Sequence, residues 1–70
     1  MEQDIEKIAV SLQKKYNTML LDKEQTAQEV GAISQTSLDR LRNRGLIKSR
    51  KVGGVIRFHT AEIARFIADA

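Results

Sequence analysis

Cysteine is absent from the 70 residues, which removes disulfides, thiol nucleophiles and thiolate metal sites in one step. The lack of disulfides fits a reducing compartment. No apolar run approaches the ~20 residues of a membrane-spanning helix. The opening Met1-Glu2-Gln3-Asp4 is acidic and polar, unlike the basic start of a secretory signal. Repeats, low-complexity tracts and flexible linkers are missing as well. The chain is also short, leaving too little material to build both a core and the walls of a deep substrate pocket. Catalytic signatures do not compensate. Ser34 and Ser37 have no histidine base at a workable position, and Gly53-Gly54 lacks the following lysine and helix of a phosphate-binding loop. The lone His59 has no cysteine or carboxylate cluster at metal-ligand spacing. The expectation is a soluble cytoplasmic protein that is not an enzyme and holds no metal or cofactor.

Charge is present, and it is unevenly spread. Residues 1–30 carry six acidic side chains against four lysines, whereas residues 40–57 carry seven basic side chains and no acid. Those seven are Arg40, Arg42, Arg44, Lys48, Arg50, Lys51 and Arg57. A solvated surface usually mixes both signs. A one-sign block of this density is an electrostatic footprint for a polyanion.

Hydrophobic spacing supplies the elements. Ile5, Ile8, Ala9, Leu12 and Tyr16 recur at helical intervals and predict an amphipathic helix over 3–16. Met19-Leu20-Leu21 reads as a brief strand or an extended connector. Asp22, with Gln25 three residues on, predicts a capping box opening a helix over 23–30 that Gly31 ends. Ser34 is the next N-cap candidate, for a helix from Gln35 to Arg44 stopped by Gly45. Leu46-Ile47 is expected to re-enter the core. Lys48–Val52 and Val55–Phe58 form β-prone runs around a Gly53-Gly54 turn, and Thr60 is the expected cap of a last helix over 61–69.

Two features of this order bear on function. On a helix over 35–44, Leu38 and Leu41 fix the buried direction, which leaves Thr36, Asp39, Arg40 and Asn43 on the opposite side. Such a face suits the major groove of duplex DNA, where arginine reads guanine and asparagine reads adenine. A two-residue turn pairs Val52 with Val55, Lys51 with Ile56 and Arg50 with Arg57, so that Ile56 and Phe58 point inward and the two arginines outward. Like charges placed opposite each other are unfavourable, and a bound phosphate would relieve them.

Ile33-Ser34-Gln35-Thr36-Ser37-Leu38-Asp39-Arg40-Leu41, Gly45-Leu46-Ile47, Val52-Gly53-Gly54-Val55-Ile56-Arg57-Phe58 and Glu62-Ile63 together resemble the MerR-type winged helix-turn-helix superfamily. Its small excisionase-like and AlpA-like members match best, over about residues 20–68. The stretch from Ala27 to Ser34 is one residue longer than that pattern. The implied fold is mainly α with a small β-hairpin, with residues 19–70 as the winged domain and residues 1–18 as an extra N-terminal helix packed upon it. The implied function is sequence-specific binding and bending of double-stranded DNA by an excisionase, a recombination directionality factor of bacterial or phage origin working beside an integrase. The alternatives are a short transcriptional regulator of the same fold and a protein-interaction adaptor. The implied contacts are Gln35, Thr36, Asp39, Arg40 and Asn43 on the helix, and Arg50, Lys51 and Arg57 on the wing; Arg44 and Lys48 of the basic block complete the expected DNA-contacting set. A monomer in solution, assembling cooperatively on DNA, is expected.

Overall fold

The first helix in the chain is α1 (Glu2–Tyr16), in a computed structural model that describes residues 2–69. It is followed by β1 (Leu20–Leu21), α2 (Lys23–Glu29), α3 (Gln35–Asn43), β2 (Arg50–Val52), β3 (Val55–His59) and α4 (Thr60–Asp69). The fold is thus mainly helical, with four helices and one small antiparallel sheet. The sheet has three strands, in the order β1-β3-β2. The hairpin expected from the sequence is therefore only part of it. Leu20 and Leu21 pair with His59 and Phe58, because β3 runs one residue further than its apolar stretch implied.

The local signals act as their chemistry dictates. The Asp22 carboxylate accepts from the Gln25 backbone N–H at 2.8 Å while the Gln25 side chain accepts from the Asp22 N–H, a reciprocal capping box. The Ser34 hydroxyl accepts from the Ser37 N–H at 3.1 Å and opens α3. At the end of α3, Gly45 N–H donates to Arg42 and Leu46 N–H to Leu41, the nested pair of a Schellman motif. That motif needs a positive φ, and Gly45 supplies it at 75°. It also corrects the expectation for Leu46. As the residue just past the motif it caps the helix end and stays 50% exposed, while Ile47 alone enters the core. At the end of α2 the nested bonds run from Ala32 to Gln28 and from Ile33 to Ala27, each enclosing one residue more. Ala32 itself is left-handed there, at φ 53°.

One core joins every element except β2. Leu12, Leu21, Ala27, Leu38, Ile47, Phe58 and Ile63 are buried together, with Ile8, Tyr16, Leu41, Ile56, Phe66 and Ile67 packed around them. The α1 stripe is buried within its own chain, against α4. Strand β2 contributes nothing to this interior, since Arg50, Lys51 and Val52 are all exposed. The hairpin therefore projects.

Thr60 does not cap α4. Continuous pairing of β3 with β1 turns its N–H to the Met19 carbonyl at 2.9 Å, and its buried hydroxyl accepts from Gln13 Nε2. The cap is His59, whose Nδ1 accepts from the Ala61 N–H at 3.0 Å.

A second clasp ties α1 to α2. Glu29 Oε2 accepts from Lys15 Nζ at 2.6 Å and from the Tyr16 hydroxyl at 2.5 Å. These two hydrogen bonds, that of Lys15 first, hold the Glu29 carboxyl below its ordinary value. A carboxyl depressed in the folded state stabilises fully above its unfolded pKa, and that contribution is lost as pH falls through the folded value. An acid titration of Tm should accordingly show a limb that Glu29→Gln flattens. An unchanged limb in the variant would remove Glu29 from the acid transition. The effect is small, because Lys15 is 60% exposed and the pair is screened.

Candidate nucleic-acid interface

Helix α3 is held by Leu38, which is fully buried, and by the half-buried Leu41. That anchoring turns Gln35, Thr36, Arg40 and Asn43 to solvent, and all four are exposed. Arg44 closes the helix as its C-cap and is exposed as well. In the hairpin, the register is Val52↔Val55, Lys51↔Ile56 and Arg50↔Arg57, as the two-residue turn requires. Both turn glycines have positive φ, 60° and 81°, the requirement of a type I′ turn. Phe58 is fully buried and Ile56 half-buried on the core side. Lys48, Arg50 and Lys51 are exposed.

Five cations of the basic block, Arg40, Arg44, Lys48, Arg50 and Lys51, form no ion pair among the described residues. The other two, Arg42 and Arg57, are already engaged. Asp39 lies 3.0 Å from Lys23 Nζ and 3.5 Å from Arg42. It is half-buried and links the start of α2 to α3 through these two cations. Lys23 was not singled out by its sequence context, since a helix-opening lysine carries no distinguishing signal. Arg57 is half-buried with its Nη1 3.9 Å from the Asp22 carboxylate. The relief that Arg50 and Arg57 demand of each other is thus met in part by Asp22, without a phosphate.

Two concavities flank the hairpin. One, of about 440 Å³, is lined by Lys48, Ser49, Arg50, His59, Ala61 and Glu62. Its Glu62 carboxylate accepts from the Lys48 N–H at 3.1 Å and from Arg65. Burial raises the Glu62 pKa, but those donors outweigh it, and the group lies below its ordinary value. The other, of about 430 Å³, runs between the hairpin tip and the starts of α2 and α3, past Asp22, Lys23, Glu24, Gln35, Gly54, Val55 and Ile56. Among the described residues, no group of three or more His, Asp or Glu side chains is arranged to hold a metal. Among the described residues, no helix is long and apolar enough to cross a membrane.

Residues of this chain are similar to an uncharacterized protein of Pasteurella multocida (strain Pm70), at 46% identity over 44 residues. The match spans 63% of this chain and 65% of that protein. No protein-family description matches the chain, and no solved structure does.

Proposed function

We propose that this chain is a winged helix-turn-helix protein that binds double-stranded DNA sequence-specifically. Helix α3 enters the major groove, and the β2–β3 hairpin is the wing, lying on the backbone or in the minor groove. The observation that carries this reading is the division of labour along residues 35–51. The outward face of α3 presents Thr36, Arg40 and Asn43, which have no packing role, and five unpaired cations continue from it onto a hairpin strand that buries nothing. A protein-interaction adaptor has no need of that arrangement. The excisionase role, with an integrase as partner, extends the reading and rests on the resemblance of residues 20–68 alone.

Reading and anchoring separate by mutation. Selection of duplex sites from a random pool supplies the target. Arg40→Ala should then lose about 1–3 kcal/mol of discrimination at one base pair. Arg50→Ala should weaken every sequence equally and make the log–log salt slope shallower by about one. Uniform loss in both variants would mean that α3 does not read bases.

A further inference from the structure

Asp22 performs two tasks with two oxygens. Its Oδ1 accepts from the Gln25 N–H and starts α2. Its Oδ2 is the atom facing Arg57 Nη1. The second contact follows from register. Leu21 pairs with Phe58, so one step further along the antiparallel ladder Asp22 stands beside Arg57, and Arg57 in turn pairs with Arg50. A row of charges therefore crosses the sheet, carboxylate, guanidinium, guanidinium. Capping alone does not require the carboxylate, since asparagine caps a helix as well as aspartate does. The additional negative charge acts on Arg57.

That ion pair is built to exchange. It is long, at 3.9 Å, and its side chains are 36% and 42% exposed, so water screens it. A DNA backbone offers one negative charge per ~1.7 Å of axis and phosphate oxygens that a guanidinium grips in pairs. If Arg57 leaves, Oδ1 still holds the Gln25 N–H, and α2 remains capped. The groove that Asp22 borders separates the hairpin tip from the first turn of α3, where a strand of duplex engaging both elements would pass.

Building on the DNA-binding reading, we propose that Asp22 is an internal competitor for phosphate, which masks Arg57 in the free protein and attenuates its affinity for every duplex. Arg57 is then the anchoring residue whose strength Asp22 sets, and Arg50, which forms no ion pair among the described residues, is the less attenuated one. The basic block binds more weakly than its seven charges imply.

The test titrates a random-sequence 20-base-pair duplex with wild type, Asp22→Asn, Glu24→Gln, Arg57→Ala and Asp22→Asn/Arg57→Ala at several salt concentrations. Asp22→Asn should bind about two- to five-fold more tightly near 0.1 M salt, with a log–log slope about one unit steeper. Its Tm should stay within a few degrees of wild type, because the cap persists. Glu24→Gln borders the same groove without pairing to Arg57 and should gain less than half as much. The Asp22→Asn gain should vanish when Arg57 is alanine. Equal gains from Asp22→Asn and Glu24→Gln, or a gain that survives Arg57→Ala, would reduce Asp22 to general repulsion and overturn the proposal while leaving DNA binding intact. No binding by any of the five proteins at low salt would overturn both.

Discussion

Phe58→Ala should lower Tm by about 15–30 °C, the largest loss available from a single side chain here. Phe58 is fully buried at the centre of the cluster formed by Leu12, Leu21, Leu38, Ile47 and Ile63. Truncating a core phenylalanine costs about 3–5 kcal/mol through lost transfer energy and the cavity left behind. A small domain has roughly 5 kcal/mol in total, so much of the population would be unfolded at 37 °C. Phe58 also sits in the middle strand, where its backbone pairs with Leu21, so the cavity opens beneath the pairing of β1 with β3. Phe58→Leu, which keeps most of the volume, should recover the greater part of the loss. A fall of under 5 °C for the alanine variant would place the centre of the core elsewhere.

Binding to duplex DNA should weaken about 500-fold between 50 and 200 mM salt. The figure assumes that the five unpaired cations each meet one phosphate, giving a log–log slope of roughly −4.5. Arg42 and Arg57 are left out of that count because each faces a carboxylate in the free protein, Asp39 and Asp22 respectively. A slope near −6 would mean that both exchange fully onto the backbone. A slope near zero, or no binding at low salt, would contradict the DNA-binding reading. The measurement also separates anchoring from discrimination, since phosphate contacts set the slope while base contacts set the difference between sequences.

Elements whose cause is local were legible in the sequence. The Asp22–Gln25 capping box, the Ser34 cap and the Gly53-Gly54 turn each need only a few neighbouring residues, and each is in place. The α1 stripe was legible from its periodicity. Features decided by distant partners were not. Pairing of β1 with β3 joins residues far apart in sequence, and it moved the α4 cap from Thr60 to His59. Leu46 is apolar and was assigned to the core, yet the backbone geometry of a helix end decides its exposure. The candidate site shows the same division. The outward face of α3 follows from Leu38 and Leu41, and the Asp39–Arg42 pair is local to that helix, whereas Lys23 beside Asp39 and Asp22 beside Arg57 come from the start of α2, which packs there only after folding.

The packing of α1 against α4 has a kinetic consequence. The hydrogen bond from Gln13 to Thr60 joins residues 47 positions apart, and the helices on either side of it bury the same core. Bringing such distant segments together costs chain entropy before any contact rewards it. Mainly helical domains of this size fold fast when their contacts are local, and slow as contacts lengthen. The α2–α3 pair, joined by a short turn, is a local part of this molecule and should form early. Docking of α1 on α4 waits for closure of the intervening loop, so substitutions at Ala9 and Leu12 should act mainly on the unfolding rate while those at Ala27 and Leu38 slow folding itself.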